Sequence, residues 1–152
     1  MFKGPKLYSG TMQLPYPSRE VWRKRLAAEE MEGYYNLVAV IEDRVIGMIG
    51  VETFPNRPRR RHVGRIGISV HDDWQGKGVG TAMMAAAVDL ADNWLNLTRL
   101  ELEVYADNEA AIHLYERFGF VYEGTMRQHA FRDGVYIDSI MMGRLRPSKK
   151  TT

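Results

Sequence analysis

Val70-His71-Asp72-Asp73-Trp74-Gln75-Gly76-Lys77-Gly78-Val79-Gly80-Thr81 is the stretch whose reading decides the fold. Ahead of it, His62 to Val70 is an alternating, β-branched run, which reads as a strand that stops at His71-Asp72-Asp73. Behind it the period changes. Met83, Met84, Ala87, Val88, Leu90, Ala91 and Trp94 recur at helical spacing, which predicts a helix from Thr81 to Leu95. Between the two, three glycines fall within five residues. Backbone N–H groups at such a turn can converge on an anion, and the open first turn of the helix adds about half a positive charge. Glycine suits the place because a β-carbon would hold a ligand's oxygens off the backbone and penalise positive φ. The stretch reads as a phosphate cradle, with a plain tight strand-to-helix connection as the alternative.

Two nucleotide patterns fail on it. A mononucleotide P-loop needs Ser or Thr after its Gly-Lys, and Gly78 follows Lys77. A dinucleotide Gly-x-Gly-x-x-Gly that starts at Gly76 needs a glycine at position 81, where Thr81 stands.

Upstream, Ser18 is placed to cap a helix that carries Val21, Trp22 and Leu26 and fades near Glu32-Gly33. Tyr35, Leu37, Ala39 and Ile41 alternate up to Glu42-Asp43, and Val45 to Thr53 resumes the apolar pattern, so a β-hairpin is expected. Downstream, Arg99 to Val104 alternates as a strand, and Asn108 can cap a helix carrying Ile112, Tyr115 and Phe118 that ends at Gly119. A short strand from Phe120 to Glu123, a link through Arg127, and a strand from Val135 to Leu145 after the Asp133-Gly134 turn complete the order. The chain divides into an extended lead-in (1–17), one mixed α/β domain (18–145) and a loose polar tail (146–152).

The 152 residues are long enough for a core that needs no metal or disulfide staples, and the chain contains no cysteine. Thiolate nucleophiles, sulfur-ligated zinc and iron–sulfur clusters are thereby excluded, and any acyl transfer must bypass an enzyme thioester. No apolar run approaches the roughly 18–20 residues of a membrane span and the start lacks a signal-peptide pattern, so a cytoplasmic protein without a membrane partner is expected. A formal charge of +2 gives no footprint for nucleic acid. Arg57, Arg59, Arg60, Arg61 and His62 form the one basic cluster; it reads as a solvated loop or as an anion-facing segment. The four histidines show no ligand spacing, so no metal site is expected. Met83, Met84, Met141 and Met142 fall where core belongs.

Gln75-x-x-Gly78-x-Gly80 resembles the acetyl-CoA pyrophosphate signature of the GNAT superfamily of N-acetyltransferases, Arg/Gln-x-x-Gly-x-Gly/Ala. The resemblance continues in order through Ala106-Asp107-Asn108-Glu109-Ala110-Ala111-Ile112-His113-Leu114-Tyr115-Glu116-Arg117-Phe118-Gly119-Phe120, then Glu123-Gly124-Thr125 and Asp133 to Asp138. From Thr11 to Leu145 the chain is most similar to a bacterial L-amino-acid N-acyltransferase subgroup, including Leu14-Pro15-Tyr16-Pro17 and Arg57-Pro58-Arg59-Arg60.

That resemblance implies a mixed, mostly antiparallel sheet with flanking helices and a splayed central strand pair, here His62–Val70 and Arg99–Val104. The pantetheine arm of acetyl-CoA would lie in the splay, and the acetyl group would pass directly to a primary amine, of an amino acid or another small acceptor. Implied cofactor-binding residues are Ile68, Ser69 and Val70 through their backbone, Gln75 to Thr81 (Gln75, Gly76, Lys77, Gly78, Val79, Gly80, Thr81), Asn108 and Ala111. Ser69 is not needed as a nucleophile. Tyr115 takes the position of the acid that protonates the departing thiolate, with a core aromatic as the other reading. Glu52 leads for the base because it sits late in the strand before the arginine loop, where many members carry an acidic residue close to the substrate amine; Glu101, Glu103, His71 or a water chain are alternatives, and Arg65 and Gly67 stand where some subgroups carry a glutamate. Asp138 and Tyr136 either shape the acceptor pocket or form an ordinary cross-strand pair. Set beside the family, the opening strand and first helix are missing, so Met1 to Gly10 is expected to form no strand along the sheet edge. That shortening, with the open question of the base, leaves a catalytically impaired acyl-CoA-binding module as the second function class. A homodimer is a further implication of the resemblance.

Overall fold

The computed structural model describes residue 11 and residues 18–28 and 32–148. The expectations for Met1 to Gly10 and for the end of the tail lie outside the described residues. Helix α1 (Arg19–Ala28) begins at Ser18, whose hydroxyl accepts a hydrogen bond from the Val21 amide at 3.2 Å. Strands β1 (Tyr34–Ile41) and β2 (Arg44–Thr53) form the expected hairpin, with Glu42 and Asp43 at φ of 47° and 60° making its two-residue turn. Then follow a 3₁₀ turn at Pro58–Arg60, β3 (Val63–Val70), a second 3₁₀ turn at Asp72–Trp74 and α2 (Val79–Asp89). Strand β4 (Arg99–Tyr105), α3 (Glu109–Arg117), β5 (Val121–Arg132) and β6 (Val135–Leu145) complete the chain.

The six strands run in the order β1-β2-β3-β4-β6-β5, antiparallel except for β3 beside β4. That parallel pair is brief. It holds only from Val63 opposite Arg99 to Arg65 opposite Glu101. Past this point β3 keeps its register with β2 as far as Val70 opposite Gly47, and β4 keeps its own with β6 as far as Tyr105 opposite Ser139. The sheet therefore opens as a wedge between its two halves, as the family resemblance implies.

Helices α2 and α3 cover one face. Met83, Met84 and Ala87 of α2 and Tyr115 of α3 bury themselves against Ile49, Val51, Ile66, Leu100, Leu102, Val104 and Met142 of the strands. Gly47 lets α2 approach closely, since a β-carbon there would meet Met83 Cε at 2.7 Å. Strand alternation then sends Met48, Gly50 and Glu52 of β2, and Arg65, Gly67 and Ser69 of β3, to the opposite face.

Three local readings change. The helix after the cradle is regular only to Asp89; Leu90–Trp94 winds as a π turn, with the Leu95 amide donating to the Leu90 carbonyl at 2.9 Å. The wider turn rotates Trp94 off the core stripe, and it is 78% exposed. Strand β5 runs unbroken from Val121 to Arg132 rather than stopping at Glu123, because bulges at Tyr122/Gly124 and Met126/Ala130 absorb the residues that upset its alternation. The start of the expected tail is anchored: Arg146 donates to the Asp92 carbonyl and to Asn96 Oδ1 at 3.0 and 3.1 Å.

The basic cluster after β2 is structural in part. Arg57 and Arg60 lie over the Phe54 ring, and Arg60 also bonds Glu101. On the other half of the sheet, Arg144 reaches both carboxylate oxygens of Asp92 at 2.9 and 2.8 Å, with side-chain exposures of only 8% and 16%. Removing one partner leaves a buried charge, so Asp92→Ala is expected to lower the unfolding free energy by about 3–5 kcal/mol. Urea denaturation followed by circular dichroism measures this.

Candidate active site

The turn between β3 and α2 has the glycine conformations that the sequence suggests. Gly76 and Gly78 hold φ of 70° and 82°, in the left-handed region, and a β-carbon on either would meet nothing within 4 Å. Both therefore open onto free space, with backbone bare on that side. Gly80 does something different, since a β-carbon there would press on Leu114 at 3.2 Å; it lets α2 and α3 pack closely. Gln75 Nε2 closes the turn by donating to the Val70 carbonyl at 3.2 Å, and Gly78 caps α2. The side chain of Asn108 caps α3 by accepting from the Ala111 amide at 3.3 Å.

One cavity of about 1140 Å³ runs from this cradle through the wedge to the sheet face opposite α2 and α3. It brings together most of the residues singled out in the sequence: Glu52, Ile68, Ser69, Val70, Gln75, Gly76, Gly78, Gly80, Thr81, Asn108, Ala111 and Tyr115. Lys77 and Val79 are outside its lining; Lys77 sits over the Trp74 ring at 5.1 Å from its centroid, and Trp74 does line it. Among the alternative bases, Glu103 lines the cavity while His71 and Glu101 do not. His71 Nδ1 accepts from the Asp73 amide and caps the 3₁₀ turn, and Glu101 is occupied by Arg60 with Arg99 3.5 Å away. Tyr136 and Asp138 are outside the lining too: Tyr136 packs on Phe131, and Asp138 accepts from the Gln128 amide at 2.7 Å in the β5 bulge.

At the far end, the cavity floor is two glycines facing each other across the β2–β3 ladder, Gly50 opposite Gly67. A β-carbon on Gly67 would meet nothing within 4 Å, and one on Gly50 would meet Asn36 Oδ1 at 2.8 Å. Beside this floor runs the row Tyr34–Glu52–Arg65, in register across three strands. Tyr34 Oη donates to Glu52 Oε1 at 2.9 Å, and Arg65 Nη1 stands 3.8 Å from Glu52 Oε2. Trp22 of α1 and Asn36 also line the cavity. Sequence reading missed Tyr34 and Asn36 because it followed the other parity of β1. The signal was available in the pairing of Glu52, since its partner across the hairpin belongs to the same face.

The chain matches the family model "Acetyltransferase (GNAT) family" over residues 5–120. It is 40% identical over 142 residues to the L-amino acid N-acetyltransferase AaaT of Escherichia coli, covering 93% of this chain and 86% of that protein. Spermidine N(1)-acetyltransferase of E. coli is 39% identical over 75 residues, 49% of this chain and 40% of that protein. Among solved structures, spermidine N-acetyltransferase from Vibrio cholerae in complex with CoA and spermine superposes with a TM-score of 0.80 at 26% identity, over 92% of this chain and 82% of that one. The fold is thus shared with an acyl-transferring enzyme over most of both chains. The chain belongs to the GNAT acetyltransferase family and is an N-acetyltransferase by class.

Tyr115, like Tyr105, is a buried titratable group of the cavity. Its hydroxyl makes no hydrogen bond to a described residue, and burial pushes the phenol up from the usual 10 to about 12. Desolvation disfavours the phenolate, so the proton is retained through neutral and mildly alkaline pH. In a spectrophotometric tyrosine titration, the Tyr115 phenol is expected to ionise near 12. That late step should disappear in Tyr115→Phe.

Proposed function

We propose that this protein transfers the acetyl group of acetyl-CoA directly to the α-amine of a free amino acid in the cytoplasm. The observation that carries the acyl-donor half is the continuous cavity, which joins the glycine cradle to the Glu52 compartment through the wedge. The acceptor half is supported by the 40% identity to an L-amino acid N-acetyltransferase along nearly the whole chain.

The residues present fit the donor. Gly76 and Gly78 leave backbone open where a pyrophosphate needs N–H donors, and the first turn of α2 adds its own unpaired N–H groups. Gln75 and Thr81 flank that site, while Asn108 and Ala111 stand at the head of α3 on the other side of the cavity. Past Arg65, β3 has no ladder partner on its β4 side. The backbone of Ile68, Ser69 and Val70 is therefore free to pair with an extended amide-bearing arm, as a sheet edge pairs with a strand. An N–H there polarises the thioester carbonyl, a contribution on the order of 3 kcal/mol.

The acetyl group arrives as a thioester, and the chain has no cysteine to relay it. The acceptor amine must lose its proton before it attacks. Glu52, with one oxygen bonded by Tyr34 and the other turned toward Arg65, takes that proton directly or through a water. Tyr115 meets the departing thiolate with a phenol that keeps its proton at working pH.

Free-thiol release in the presence of acetyl-CoA and a panel of amines tests the proposal. Tyr115→Phe and Glu52→Gln are each expected to lower kcat by roughly 10²-fold, with acetyl-CoA binding retained. Gly78→Glu puts a carboxylate against the pyrophosphate and should abolish binding in titration calorimetry. Wild-type binding of acetyl-CoA by Gly78→Glu would refute the cradle, and acetyl-CoA binding by the wild type without turnover of any amine would favour the impaired module.

A further inference from the structure

Among the described residues, three arginines line the cavity: Arg65, Arg117 and Arg132. Arg117 donates to Thr81 Oγ1 at 3.1 Å, and Arg132 engages both carboxylate oxygens of Asp107. Arg65 differs. Its guanidinium makes no hydrogen bond to any described residue. The nearest carboxylates, Glu52 and Glu101, stand off at 3.8 and 3.9 Å, and Phe54 supports it from the side at 5.9 Å from the ring centroid. Elsewhere in this protein, arginine forks close on carboxylates at hydrogen-bond distance, as in Arg144–Asp92 and Arg99–Glu123.

A planar fork of N–H donors, held beside the open face of Gly67 and half exposed to the cavity, is the geometry that receives a carboxylate through two parallel bonds. Beside it, Glu52 has spent one of its several acceptor positions on Tyr34 and can receive an ammonium. The row thus presents an anion and a cation side by side, in register on adjacent strands. An α-amino acid carries the complementary pair on adjacent atoms. Laid antiparallel to the row, its ammonium meets Glu52 and its carboxylate meets Arg65, and the stand-off of 3.8 Å between the two side chains shows that they have not closed on each other.

We infer that Arg65 is the specificity-determining residue for the acceptor: it binds the α-carboxylate and so selects free amino acids over amines that lack one. The inference rests on the proposed amino-acid acetyltransferase activity and deepens it. A polyamine offers nothing to Arg65 and adds positive charge beside it. An amino-acid amide keeps the ammonium and the side chain but loses the anion.

The test compares each of several L-amino acids with its own carboxamide, together with spermidine, as acceptors for the wild type and Arg65→Gln. Circular dichroism and acetyl-CoA binding report on folding. For the wild type, kcat/KM should favour the acid over the amide; in Arg65→Gln that preference should fall about tenfold or more, with the loss carried mainly by the KM of the acid. Arg65→Lys, which keeps the charge without the planar fork, should keep part of the preference, and it carries the test if Arg65→Gln does not fold. If the wild type uses amino acids and the acid-to-amide ratio stays within about twofold in both variants, the role given to Arg65 is wrong while the amino-acid reading stands. If the wild type acetylates spermidine and no free amino acid, the amino-acid reading fails and the inference falls with it.

Discussion

The parting of β3 from β4 is the constraint on which the rest of this molecule depends. The two strands pair for three residues and then each follows its outer neighbour, β3 with β2 and β4 with β6. A sheet that stays closed satisfies its backbone internally; one that opens leaves N–H and C=O groups facing a gap, and each such group costs free energy unless something pairs with it. The wedge therefore leaves β3 backbone without a ladder partner on its β4 side beyond Arg65. It can persist because the core does not run through it. Leu100, Leu102 and Val104 anchor β4 to the helix-covered core, Ile49, Val51 and Ile66 do the same for the other half, and α2 and α3 bridge the two.

Around that opening the glycines divide the work. Gly76 and Gly78 turn the chain and bare the backbone, Gly47, Gly80 and Gly50 admit Met83, Leu114 and Asn36, and Gly67 leaves the opposite face open. The charged residues divide likewise. Arg144 and Arg146 bind the π turn to the second half of the sheet, Arg60 holds the loop after β2 against Glu101, and in the row at the cavity's end Arg65 and Glu52 stand 3.8 Å apart.

Much of this is local and so was legible in the sequence. Ser18 and Asn108 cap because their side chains reach the next turn, Glu42-Asp43 and Asp133-Gly134 turn because two residues close a hairpin, and the Gln75 to Gly80 spacing carries the cradle. The features that escaped depend on partners far along the chain. The full length of β5 is set by its pairing with β6 across two bulges, which a count of alternation cannot follow. Tyr34 and Asn36 are functional candidates only because β2 sends Glu52 and Gly50 to their face, and Glu101 is taken up by Arg60, 41 residues away, a pairing that alternation along β4 does not reveal. The exposure of Trp94 follows from a single wide turn that helical periodicity does not reveal.

Amide hydrogen exchange with and without acetyl-CoA tests the central claim most directly, because it reads the backbone groups that the wedge and the cradle leave open. The account predicts added protection in two segments, residues 66–70 on β3 and residues 76–81 at the head of α2, with little change on β1 or the β5–β6 hairpin. Saturating acetyl-CoA that protects neither segment, or that protects a different face of the sheet, would contradict it.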